Sequence, residues 1–129
     1  MKTIKQQNDI DCGIACAAML AGTTYNRAMK ADPNPELDEG FTIKDMTKTL
    51  ENLTNSKWSV SRRNENQPIS SINLRKNTAI LITQDEFYHW IVTDGQKIYD
   101  PDRERSCSLA DYERSNWLVK REILASSPA

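Results

Sequence analysis

The chain has 129 residues, 38% of them hydrophobic and 27% charged, with a formal net charge of −1. That composition suits one soluble domain over residues 1–129 built on a single core, and it excludes a disordered chain. The near-neutral balance with scattered basic residues offers no electrostatic footprint for nucleic acid, and no apolar run approaches the ~20 residues that cross a bilayer. Neither nucleic acid nor membrane is an expected partner.

In chain order, "MKTIKQQNDID" turns polar at once and lacks the apolar segment of a secretory signal. "CGIACAAMLA" (12–21) is an almost unbroken run of small and apolar residues, which predicts a buried helix stopped by Gly22. Asp11 stands where it would cap that helix. "TTYNRAMK" predicts a short second helix, and "ADPNPELDEG" (31–40), with two prolines and four acids, a surface loop. In "FTIKDMTKTLENL" the spacing of Phe41, Ile43, Met46, Leu50 and Leu53 predicts an amphipathic helix over 41–53, with Thr42 and Asp45 as a capping box. The pattern then becomes β-prone. "WSVSR", "TAILIT", "YHWIVT" and "QKIYD" read as strands, the last two joined by an Asp94-Gly95 hairpin turn. Ser108 and Asp111 occupy capping positions in "SLADYE", "NWLVKREIL" reads as a last strand, and "ASSPA" is expected to fray. Helices first and an antiparallel sheet second predict an α+β fold.

Three residues carry chemistry. Cys12 opens the first predicted helix, where unpaired N–H groups and the positive end of the macrodipole favour a thiolate. His89 is the only histidine, so any imidazole partner for Cys12 must be this one. A tight turn centred on Asp94-Gly95 brings Tyr99 and Asp100 beside Tyr88 and His89, so Asp100 is placed to accept from the ring, whereas Asp94 sits at the turn itself. A lone strand histidine is ordinarily a packing residue and Asp-Pro ordinarily a turn; their order and hairpin geometry together point to a Cys-His-Asp arrangement. Cysteines 12, 16 and 107 are odd in number and exclude a complete disulfide framework; free thiols suit a reducing compartment, so the expected site of action is cytoplasmic. The same cysteines with His89 would make four zinc ligands. They are scattered, however, and Cys16 lies among alanines, so no metal and no other cofactor are expected.

"QQNDIDCGIACAAML" together with "HWIVTDGQKIYDPD" resembles the bacteriocin-processing, or double-glycine, peptidases, a papain-like cysteine peptidase family. Gln6, Asp11, Cys12, Gly13, Ala15 and Met19 meet the first half of the family pattern, and His89 with Asp100-Pro101 the second. The helix at 41–53, "QPISSINLRKNTAILI" and "SLADYERSNW" follow the family layout, so the resemblance covers nearly the whole chain. It implies a papain-like fold, with Cys12 as nucleophile, His89 as base and acid, and Asp100 as orienter. It further implies that the Gln6 side chain and the Cys12 backbone N–H serve as oxyanion donors; Gln7 is its solvent-facing neighbour. Tyr88, Trp90 and Tyr99 are candidates for the walls of a slot that admits only glycine. The implied partners are a protein or peptide with an exposed Gly-Gly and a cognate immunity or inhibitor protein. The exporter regions of many family members are absent from the sequence, which leaves two roles open. One is a leader-maturation protease; the other is the toxin domain of a secreted antibacterial effector delivered by a larger system. A glutamine deamidase or transglutaminase on the same triad, and an inactive Gly-Gly-binding module, also remain open.

Overall fold

A computed structural model describes residues 1–7, 11–33 and 41–126. Three helices come first: α1 (Cys12–Ala21), α2 (Tyr25–Ala31) and α3 (Ile43–Thr54). Six strands follow: β1 (Trp58–Ser61), β2 (Thr78–Gln84), β3 (Phe87–Thr93), β4 (Lys97–Tyr99), β5 (Cys107–Ser108) and β6 (Leu118–Ala125). Short 3-10 turns occupy Ile69–Ser71 and Leu109–Asp111. The strands form one antiparallel sheet in the order β1-β6-β2-β3-β4-β5. The arrangement is α+β, as the element order predicts.

Each helix boundary has a local cause. Gly22 adopts the left-handed conformation (φ 68°) and returns its N–H to the last turn of α1. Thr24 caps α2 through the Arg27 N–H. Thr42 and Asp45 form the reciprocal capping box of α3, each side chain accepting the other's backbone N–H at 3.0 Å. Ser108 accepts the Asp111 N–H and so caps the second 3-10 turn, not an α-helix. At the C-terminus Ala125 pairs with Trp58 and Ser126 donates to the Lys57 carbonyl, so the start of "ASSPA" is fixed in the sheet. Residues 127–129, like most of the predicted surface loop (34–40), lie outside the described residues.

The sheet separates two apolar clusters. Alternation along β3 sends Trp90 and Val92 to the helices, where they meet Ala79, Leu81, Ile123 and the buried face of α1. Ile91 instead joins Ile80, Ile82, Ile98, Val119 and Tyr112, beneath the two 3-10 turns. α1 is buried from Cys12 to Met19, wedged between β3 and the other two helices, which is why it carries small residues nearly throughout.

The β3–β4 hairpin departs from the sequence expectation. Thr93 pairs with Ile98 and Val92 with Tyr99, a register two residues longer than a turn centred on Asp94-Gly95 requires. The cause is local. Asp94 Oδ1 accepts both the Gln96 and Lys97 N–H groups, Thr93 Oγ1 bridges Gly95 N–H and the Lys97 carbonyl, and Gly95 takes φ +99°. A side-chain-stabilised loop has displaced the two-residue turn.

Gly13 shows how tightly α1 is seated. A Cβ there would run into the Phe41 ring and lie 2.5 Å from Phe41 Cβ. Phe41 is itself anchored, because its carbonyl accepts the Trp90 indole N–H at 2.8 Å. Gly13→Ala is therefore expected to lower stability by at least about 1 kcal/mol, the overpacking outweighing the better helix propensity of alanine. Urea denaturation of the two proteins measures it, and a more stable variant would contradict the contact.

Candidate active site

Cys12 is the first residue of α1 and only 9% exposed. The first N–H groups of a helix have no intrahelical acceptor. Asp11, in the N-cap position, would normally accept one of them, yet it makes no side-chain cap bond. Its Oδ2 instead accepts the Gln7 N–H at 2.9 Å and the Tyr25 hydroxyl. The expectation that Asp11 caps α1 is thus corrected, and the N–H groups at Cys12 are not taken up by a capping carboxylate.

His89 lies on β3, 9% exposed, close enough to Cys12 for the thiol to act on the charge of the ring. Its Nε2 donates to Asp100 Oδ1 at 2.7 Å, which leaves Nδ1 for the thiol. Burial by itself would lower the imidazole pKa, but the Asp100 bond and the charges of Asp100 and Cys12 outweigh it and push the ring up to about 9. The expected partner Asp100 is therefore in place although the hairpin register differs. It lies just beyond the end of β4 and reaches back across the lengthened hairpin.

Asp100 is 2% exposed, and both of its oxygens are saturated. Oδ1 accepts His89 Nε2 and the Asp102 N–H at 2.8 Å; Oδ2 accepts the Tyr112 hydroxyl at 2.6 Å and Arg114 Nη1 at 2.7 Å. Burial opposes its charge, yet the bonds from His89, Tyr112 and the Asp102 N–H hold the carboxyl well below the usual range. Burial and the Asp100 charge raise the Tyr112 hydroxyl, so it remains a donor. Arg114 also grips Asp102 Oδ2 at 2.9 Å and lies over the Trp117 ring, 5.3 Å from its centre. Tyr112 and Arg114 escaped the sequence reading. The available signal was "SLADYERSNW", which matched the family layout without indicating which residues face Asp100.

Gln6 is half-buried with its Oε1 enclosed, while Gln7 is exposed, which is the division expected of them. The Gln6 N–H donates to the carbonyl of Pro101, the residue after Asp100, at 2.8 Å. The aromatic candidates divide differently. Tyr88 is 59% exposed beside His89. Trp90 and Tyr99 are corrected from slot walls to core: Trp90 spends its N–H on Phe41, and the buried Tyr99 ring directs its hydroxyl to Asp94 at 3.0 Å. Alternation along the strands turns both towards the helices.

All three cysteines are free. Burial, then the charges of Cys12 and Asp100, push the Cys16 thiol well above its ordinary value, so it remains protonated. Cys12, Cys16, His89 and Cys107 do not converge on one point: among the described residues no group of three or more His, Cys, Asp or Glu side chains is arranged to hold a metal ion. No helix among them is long and apolar enough to cross a membrane.

A thiol at a helix start, beside an imidazole that a buried carboxylate orients, is the working arrangement of papain-like cysteine hydrolases. The Peptidase C39 family matches residues 1–127, and the chain belongs to that family of bacteriocin-processing, double-glycine cysteine peptidases. No curated protein matches the chain.

With one histidine in the molecule, a single imidazole Cε1–H resonance reports the site. Because folding favours the charged ring, imidazolium persists through neutral pH and is lost as pH rises through about 9. The NMR midpoint is expected there, with turnover falling on the same limb. Asp100→Ala should bring the midpoint down by at least about one unit, since the partner that outweighs burial is gone. A wild-type midpoint near the ordinary imidazole value of 6.5 would show that the pair does not form.

Proposed function

We propose that the chain is an endopeptidase that cuts protein or peptide substrates after a Gly-Gly pair through Cys12, His89 and Asp100. The observation that carries this reading is the buried His89 Nε2–Asp100 Oδ1 pair at 2.7 Å, on a ring whose charge Cys12 at the start of α1 also favours. The Cys12 thiolate attacks the carbonyl carbon of the second glycine. The negative charge that develops on oxygen is taken up by the Cys12 N–H and the Gln6 side-chain amide, a donor pair of the kind worth ~3–4 kcal/mol per member in the transition state. The tetrahedral adduct collapses to a thioester as His89 protonates the departing amine. His89 then takes a proton from water, which attacks the thioester; the carboxylic acid leaves and the thiol is restored.

Three features support the specificity. Cys12 and His89 are each only 9% exposed, so little of either is open to a substrate, which favours one with the smallest side chains at the scissile bond. The family is a double-glycine family. Tyr88, next to His89 on β3 and 59% exposed, offers an aromatic surface to a bound peptide. Three free thiols favour action in a reducing compartment.

Cys12→Ala is expected to abolish cleavage of a Gly-Gly peptide while leaving thermal unfolding near that of wild type. His89→Ala should slow it by more than Asp100→Ala, because the latter removes orientation and not the proton-transfer group itself. Alanine in place of either glycine should cost at least about tenfold in kcat/KM, as expected when a methyl must enter a filled site. N-terminal proteomics of cells expressing wild type or the Cys12 variant tests the reaction in a natural mixture. New N-termini following glycine are expected; a one-dalton gain at glutamine without new termini would overturn peptide hydrolysis in favour of deamidation.

A further inference from the structure

We propose that Asp11 and Tyr25 are positioning residues for the oxyanion site, a clasp that holds Gln6 against the nucleophile from outside the triad. This rests on the reading of Gln6 as an oxyanion donor. Gln6 belongs to an N-terminal segment, residues 1–7, with no regular secondary structure, so helix or strand pairing does not fix its side chain. Two hydrogen bonds of the main chain instead fix where that side chain starts. On one side the Gln6 N–H donates to the Pro101 carbonyl at 2.8 Å, which ties the segment to the residue following Asp100. On the other, the next N–H in the chain, that of Gln7, donates to Asp11 Oδ2 at 2.9 Å, which ties it to the residue preceding Cys12. Gln6 is thereby registered to both ends of the reacting group.

The second tie depends on Tyr25. Asp11 is fully buried, and a buried carboxylate without donors is costly, so its orientation follows its donors. The Tyr25 hydroxyl, brought in from the first residue of α2, donates to the same Oδ2 that accepts the Gln7 N–H. That bond also turns the carboxylate away from the helix end it would otherwise cap, as α1 lacks a side-chain cap bond. A single side chain thus keeps the N–H groups at Cys12 available and fastens the segment that carries the second donor. Fastening Gln6 acts on the oxyanion alone, whereas freeing the N–H groups also favours the thiolate, so loss of the clasp should cost turnover more than it costs thiolate reactivity.

That difference supplies the test. Alkylation of Cys12 by iodoacetamide needs the thiolate and His89 but forms no oxyanion, whereas hydrolysis of a Gly-Gly aminocoumarin peptide needs both. Tyr25→Phe is expected to lower kcat by about tenfold or more, the loss typical of a misplaced group near a reacting centre, with KM within about twofold. The alkylation rate should fall by much less than kcat, by no more than about twofold. Gln6→Ala should lower kcat by about 100-fold, and adding Tyr25→Phe to it should cost less than about twofold more, since the residue being positioned is gone. Asp11→Asn, which keeps an acceptor for Gln7, should lose less than Asp11→Ala; should Tyr25→Phe fold poorly, this pair decides by the same two assays. Parallel loss of alkylation and turnover, or a full additional loss in the Gln6→Ala background, would overturn the clasp while leaving Gln6 its role. An unimpaired Gln6→Ala enzyme would overturn the oxyanion reading of Gln6 and the clasp with it.

Discussion

One buried negative charge organises the molecule. The Asp100 carboxylate sits where the end of β4, the strand carrying His89, and the segment after the second 3-10 turn meet, and it accepts four hydrogen bonds, two at each oxygen. A carboxylate taken out of water is stable only when such donors replace the solvent it has lost. Here they come from three separate pieces of chain, so ionising Asp100 and assembling those pieces are the same event. The imidazole profits because the oxygen facing it cannot rotate: Tyr112 and Arg114 hold the other one. Arg114 is fixed in turn by Asp102 and by the face of Trp117, which carries the constraint from the buried carboxylate to the protein surface.

Asp11 is the counterpart on the opposite side of the cysteine. Two aspartates thus flank Cys12 and His89 and do different work. Asp100 faces the imidazole and stabilises its charge. Asp11 faces away, and its absence from the helix end leaves backbone donors available at Cys12. Forgoing a cap costs the helix about 1 kcal/mol. The burial of α1 from Cys12 to Met19 offsets such a loss, so the sacrifice at one end is tolerated because the helix body is packed on every side.

What the sequence made legible was whatever depends on near neighbours. The capping box at Thr42 and Asp45, the stop at Gly22 and the buried run of α1 follow from residues within four positions of one another, and all stand in the structure. The Cys12–His89 pairing was legible for a different reason: with a single imidazole there was nothing to choose between. Legibility failed where two local arrangements compete or where the partner is distant. Asp94-Gly95 is a strong two-residue turn signal, yet the Asp94 and Thr93 side chains hydrogen-bond into the loop and lengthen it by two residues. Asp11 sits in a capping position, but a tyrosine 14 residues away claims its carboxylate. Tyr112 and Arg114 lie 12 and 14 residues beyond Asp100, with no periodicity linking them to it. Trp90 and Tyr99 look like pocket aromatics next to the catalytic candidates; strand alternation turns them to the core.

Cys16 lies one helical turn beyond Cys12, fully buried and held as a neutral thiol. Disulfide exchange and the repair of a sulfenic acid both require an attacking thiolate. Peroxide that reaches Cys12 therefore meets no resolving partner within the helix, despite a sulfur four residues away. The oxidised enzyme must wait for a small thiol from outside or proceed up the oxidation ladder to a sulfinic acid, from which ordinary reductants do not return it. An enzyme built in this way owes its working lifetime to the reducing power of its surroundings.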